Sequence, residues 1–131
     1  MKATIYTDGG ARGNPGPAGI GAVIKGASPA EVSEYIGETT NNVAEYKALV
    51  SGLTEALKLG YKEAEVFCDS ELIVKQIKGE YKVKQPHLIP LWNECRNLLS
   101  IFSKASITHV RREYNKEADK LVNQAIDAHM K

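Results

Sequence analysis

The hydrophobic period of this chain changes near Val43, and that change limits what the chain can fold into. Before it, residues 2–7, 19–25 and 32–38 are short apolar segments, β-rich in the first, separated by glycine- and proline-rich stretches. The longest stretch runs Asp8-Gly9-Gly10-Ala11-Arg12-Gly13-Asn14-Pro15-Gly16-Pro17 and reads as an extended turn. Such punctuation favours three strands in an antiparallel meander. After the change, Tyr46, Leu49, Val50, Leu53 and Leu57 recur at helical spacing up to Gly60, a natural helix terminator. A strand at 63–68, helices at 70–78 and 88–102, a strand at 105–110 and a helix at 115–129 complete the pattern. Strand–helix–strand alternation favours parallel pairing with a right-handed crossover. The expected fold is α/β: a five-stranded mixed sheet, three antiparallel strands and then two parallel ones, flanked by helices. A single domain over 1–131 is expected, because no linker, repeat or low-complexity stretch interrupts the pattern.

With 131 residues, 43% of them hydrophobic, the chain can bury a real core. No apolar run approaches the length of a membrane span, and MKATIYTDGG lacks the shape of a signal peptide, so no membrane partner and a cytoplasmic location are expected. Cys68 and Cys95 stand apart without CxxC spacing, which argues against a disulfide framework or a zinc site. A net charge of +1 gives little long-range attraction for a polyanion, so any nucleic-acid binding must come from local patches.

Four carboxylates stand where the chain changes direction: Asp8, Glu45, Asp69 and Asp119. Each has an ordinary structural reading. Asp8-Gly9 is turn chemistry. Asn42 and Glu45 fit a capping box, Asp69 fits an N-cap, and Asp119 suits the positive end of a helix dipole. As a set they point elsewhere. Glu45 and Asp119 both lie about 90° from the centre of their helices' apolar stripes. Asp8 and Asp69 each end an apolar run, and if those strands are parallel neighbours their ends coincide at the usual ligand-binding edge of an α/β sheet. Four crowded acids suit hard cations with oxygen ligands, chiefly Mg²⁺, and two such ions about 3.5–4 Å apart would make a phosphoryl-transfer site.

The segments YTDGGARGNPGPAGIG, TTNNVAEYKAL, CDS and NKEAD, in this order and spacing, resemble the ribonuclease H type 1 family, in particular its compact archaeal and bacterial branch. The resemblance runs from Tyr6 to about Ala128. It implies an endoribonuclease that cleaves the RNA strand of RNA–DNA hybrids with water and two Mg²⁺ ions, Mn²⁺ being a substitute, and leaves 3′-hydroxyl and 5′-phosphate ends. Asp8 would bridge both ions. Asp119 would help hold the ion that activates water, while Glu45 and Asp69 would help hold the ion at the leaving 3′ oxygen. Asn14 and Asn41 resemble positions that reach the hybrid's minor groove, Thr40 and Asn42 a pocket for a DNA-strand phosphate, and Gly9 and Gly10 let backbone amides approach the sugar. A monomer is expected.

The chain departs from the family in three places. Residues 78–87 replace a longer basic protrusion, leaving Lys82 and Lys84 as the candidate backbone contacts. No histidine-bearing flexible loop precedes the last acid, and His109 is expected within the last strand. Glu71 stands where relatives often have glutamine, and its charge would oppose a phosphate-rich ligand. These departures keep two alternatives open: a weakly active or non-catalytic hybrid-binding module, and a relaxed nuclease that also accepts double-stranded RNA.

Overall fold

The computed structural model describes residues 1–131. Five strands, β1 (Lys2–Ala11), β2 (Gly16–Lys25), β3 (Ala30–Thr39), β4 (Glu63–Cys68) and β5 (Lys104–His109), form one sheet in the order β3-β2-β1-β4-β5. β1 pairs antiparallel with β2, and β2 with β3. β1 with β4 and β4 with β5 are parallel. The helices are α1 (Asn41–Lys58), α2 (Glu71–Ile77), α3 (Ile89–Ile101) and α4 (Lys116–Met130). None of them is long and apolar enough to cross a membrane.

The main core lies where α1, α2 and α3 cover one face of the sheet. Ile5, Ile24 and Val66 from the strands meet Leu49, Leu53, Ile73 and Cys95 from the helices. On the opposite face α4 buries Ala118, Leu121, Val122, Ala125 and Ile126 against β1, β2 and β3. Cys68 and Cys95 are free and buried. Trp92 is half-buried against the core and donates its indole N–H to the Gln76 carbonyl at 2.9 Å.

The glycine-rich stretch differs from its reading as one long turn. β1 continues through Asp8 to Ala11, and β2 already begins at Gly16, so only residues 12–15 turn. Gly16 closes against the Arg12 carbonyl within that turn, whereas Gly9, and Gly19 and Gly21 beyond it, lie where helices press on the two sides of these strands. A Cβ on Gly9 would collide with the Ala44 carbonyl of α1, and one on Gly21 with the Ala118 carbonyl of α4. A Cβ on Gly19 would stand 2.9 Å from the Val122 carbonyl oxygen. Glycine here sets helix-to-sheet distance.

Candidate active site

The parallel pairing of β1 with β4 stops at Thr7 and Cys68, so Asp8 and Asp69 are the next residues of two adjacent chains leaving the ladder. Asp8 is therefore inside β1 rather than at its end, and on its other side it pairs with Gly21. Because Gly21 has no side chain, α4 settles close to the sheet there and carries Asp119, the neighbour of Ala118, toward Asp8. Glu45 arrives from the buried side of α1. Ligand oxygens of Asp8, Glu45 and Asp69 lie within 4.8 Å of one another. Asp119 faces the same cleft, near enough for its carboxyl to act on that of Asp8. All four acids line one cleft of about 480 Å³.

Crowding and burial hold protons on this cluster. Asp8 is pushed up to about 8 by burial, then by the charges of Asp69 and Asp119 and the contact with Asp119, with Arg112 pulling the other way. Burial raises Glu45 well above the usual carboxylate range, helped by Asp8 and Asp69, while the Gly9 N–H and Arg112 lower it. Such a set is at rest only when protons or cations neutralise it. Its donors are all carboxylate oxygens, which fits a hard divalent ion.

Hydrogen bonds fix the individual acids. The Gly9 N–H donates to Glu45 Oε1 at 2.9 Å, so that amide is committed within the protein and is not available to a sugar. This also replaces the capping-box reading: the N-cap of α1 is Thr40, whose hydroxyl accepts from the Val43 N–H at 3.3 Å. Similarly Ser70, not Asp69, caps α2, which leaves the Asp69 carboxylate free for the cleft. Asn115, only 1% exposed, donates its amide to the Thr7 carbonyl at 2.8 Å and to Asp69 Oδ2 at 3.1 Å. It ties together the ends of β1 and β4, the two strands that deliver Asp8 and Asp69.

Gly9, Gly10, Asn41 and Asn42 line the cleft with the acids. Asn14 stands behind Asn41: its Oδ1 accepts the Asn41 N–H at 3.0 Å, and Asn41 Oδ1 accepts the Ala11 N–H at 2.8 Å. With both oxygens so used, the two side-chain NH₂ groups remain as donors at the rim. Lys82 and Lys84 are not brought to the acids. They line a separate groove of about 570 Å³ with Leu72 and Tyr81, and Asn42 borders both spaces. Glu71 does not line the acid cleft; its carboxylate lies 3.9 Å from the Lys75 ammonium, one helical turn on. His109 is the exposed last residue of β5.

Three further residues escaped the sequence reading. Arg112, in the short 3₁₀ turn Arg112–Tyr114, lines the cleft and is the cation that acts on Asp8 and Glu45. Arg12 lines the other end of the cleft, bonding Asn123 Oδ1 at 3.1 Å and Asp127 at 2.6 Å on α4. Asn115 is the third. The Arg111-Arg112 pair close before an acid was a legible sign. Asn115 looked like an ordinary helix start.

A protein-family profile described as reverse transcriptase-like matches residues 6–125. The chain is 48% identical over 132 residues to the bifunctional protein Rv2228c of Mycobacterium tuberculosis, covering 98% of this chain but 36% of that protein. It thus spans about a third of the length of that relative. Ribonuclease H of Chlorobium phaeobacteroides is 37% identical over 141 residues, with 95% of each chain covered. Among solved structures, LC11-RNase H1 in complex with RNA/DNA hybrid superposes with a TM-score of 0.92 at 48% identity, over 98% of this chain and 99% of that one. Sequence and architecture agree along nearly the whole length, and the chain belongs to the ribonuclease H type 1 family.

Proposed function

We propose that this chain is an endoribonuclease that hydrolyses the RNA strand of RNA–DNA hybrids with two divalent metal ions, Mg²⁺ or Mn²⁺, leaving 5′-phosphate and 3′-hydroxyl ends. The observation that carries the reading is the convergence of Asp8, Glu45 and Asp69 oxygens within 4.8 Å, with Asp119 against Asp8, in a member of this family. The bound ions supply Lewis-acid neutralisation of the charge that develops on the attacking and leaving oxygens.

The chain's own groups set the geometry. Asp8 is central, belonging both to the Glu45–Asp69 set and to the contact with Asp119, which suits a ligand shared between two ions. The Gly9 N–H orients Glu45 and the Asn115 amide orients Asp69, so neither acid must be ordered when metal arrives. The free NH₂ groups of Asn14 and Asn41 are donors for a 2′-hydroxyl, the group that distinguishes RNA from DNA in a minor groove. Thr40 and Asn42 at the start of α1 are suited to a DNA-strand phosphate, and Lys82 and Lys84 to backbone contacts farther out.

The test is cleavage of an end-labelled hybrid, a DNA duplex and an RNA duplex with Mg²⁺ or Mn²⁺, with and without EDTA. Metal-dependent cutting of the hybrid's RNA strand supports the reading. No cutting under any metal condition overturns it, and equal cutting of the RNA duplex replaces it with a relaxed nuclease.

A further inference from the structure

On α4, Asp119, Asn123 and Asp127 follow one another at four-residue spacing and form one stripe along the helix. Asp119 stands at the acid cluster, and Asn123 and Asp127 lie about 6 and about 12 Å farther along the axis. Both grip a single side chain that comes from the β1–β2 turn. Arg12 Nη2 donates to Asn123 Oδ1 at 3.1 Å, and Arg12 Nη1 lies 2.6 Å from Asp127 Oδ1. Asn123 in turn donates its amide to the Asp119 carbonyl at 3.1 Å. Arg12 and Asn123 line the cleft together with the acids, whereas Asp127 does not. The carboxylate holds the guanidinium from outside the cleft, and the same helix stripe carries an acid of the site.

We propose that Arg12 registers the cut strand, seating a phosphate next to the one attacked at the acids; this rests on the hybrid-cleavage reading above. The two sides of the cleft decide the strand. Thr40, Asn42, Lys82 and Lys84, suited to the uncut strand, belong to α1 and the connection after α2, while Arg12 is held on α4. A strand that crosses the acids and continues along α4 meets the guanidinium within about two helix turns, a nucleotide or two from the cut. The ion pair with Asp127 does not cancel this role. Arg12 spends one N–H on Asp127 and one on Asn123, and a guanidinium carries further donors in the same rigid plane, a geometry that suits phosphate. The pair is solvent-exposed, so it adds little stability. What it does is hold a long side chain in one geometry before substrate arrives, which lowers the ordering cost of binding. Fastening the turn to α4 is compatible with this role, but fastening alone predicts no dependence on any one phosphate.

The experiment uses the intact chain with Mg²⁺ and hybrids in which one phosphate at a time becomes a neutral methylphosphonate, first along the RNA strand and then along the DNA strand. Each modified ribose carries a 2′-O-methyl group, and the hybrid with that group alone is its control. Cleavage at one chosen linkage is followed on a gel. In the parent chain, kcat/KM should fall about tenfold at one RNA phosphate within two of the cut, the scale of a lost charge-assisted hydrogen bond. Arg12→Ala, with its melting temperature checked, should cleave the all-phosphate hybrid about tenfold less well, chiefly through KM, and should show no further loss at that position. Losses at other positions should persist in the variant. The parent's scan does not depend on how the variant folds, and a scan with no sensitive phosphate within two of the cut overturns the contact. Equal losses in parent and Arg12→Ala at every position also overturn it and leave Arg12 as a fastener of the turn. A loss on the DNA strand that Arg12→Ala relieves overturns the strand assignment. If the parent cleaves no hybrid at all, the functional reading itself fails, and this inference with it.

Discussion

The carbonyl of Ala118 rests against Gly21 at a spot where no side chain could fit, and this contact brings Asp119 over Asp8. Replacing Gly21 with alanine forces α4 outward. The predicted outcome is a loss of about 1–3 kcal/mol of stability, the usual scale for overpacking. A weaker response to added Mg²⁺ should accompany it, because Asp119 leaves its partner. Urea unfolding with and without Mg²⁺ checks both effects, and unchanged metal stabilisation in Gly21→Ala would show that α4 does not set the site.

Asp8→Asn should abolish hybrid cleavage while leaving the fold intact. Asp8 lies between the other acids, so no neighbour can replace its charge. The same change relieves repulsion, so the metal-free variant should melt higher than the parent at pH 8, and Mg²⁺ should raise its melting temperature less. Near-normal activity with Mg²⁺ would sink the assignment of Asp8 as the shared ligand.

Metal-free stability should fall as pH rises. Asp8 and Glu45 have raised pKa values, Asp8 to about 8, so between the ordinary carboxylate range and pH 8 the folded state holds more protons than the unfolded one. Unfolding then releases protons, and stability declines across that window. Melting curves in EDTA from pH 5 to pH 8.5 test the sign. Millimolar Mg²⁺ should flatten the decline, and a rise in melting temperature with pH in EDTA would contradict the cluster's electrostatics.

Asn115→Ala should weaken metal binding about 10–100-fold, the range typical of lost groups behind a ligand. It should also cost about 1–3 kcal/mol, since the Thr7 carbonyl loses a buried partner. Calorimetric titration with Mn²⁺ separates the two effects, because a purely structural role would lower stability and leave affinity in the folded protein unchanged.

Lys82→Ala with Lys84→Ala should weaken hybrid binding and make the slope of log affinity against log salt shallower by about 1.8, two counterions at ~0.9 each. Turnover at saturating substrate should hold. Affinity measured across a salt series decides the matter: identical slopes would make these lysines ordinary solvated side chains.

Element order and sheet topology were legible because the hydrophobic period reports directly on strand and helix. The ends were not. Glycine at 9, 10 and 16 looks like turn composition, yet Gly9 in β1 makes room for α1, as Gly19 and Gly21 in β2 do for α4, a property of packing that no local pattern carries. Caps were misplaced by one or two residues for a related reason. Asn42 and Asp69 are good capping residues, but Thr40 and Ser70 stand nearer the true helix starts and leave the acids free. Asn115 and Arg12 act through partners 46 residues away in sequence or more, beyond the reach of any spacing rule.

The β1–β2 tip and the start of α1 are laced together by Asn14 and Asn41, and Arg12 pins the same tip to α4. The rim beside the acids therefore behaves as a gauge of fixed opening instead of a jaw. Under the proposed function, a duplex laid across it would have to bring its own groove to the set width, and the cost of a wrong width would fall on the nucleic acid. Discrimination would then reside in how readily a helix deforms, and tightening the protein further would sharpen it while loosening either asparagine would blur it.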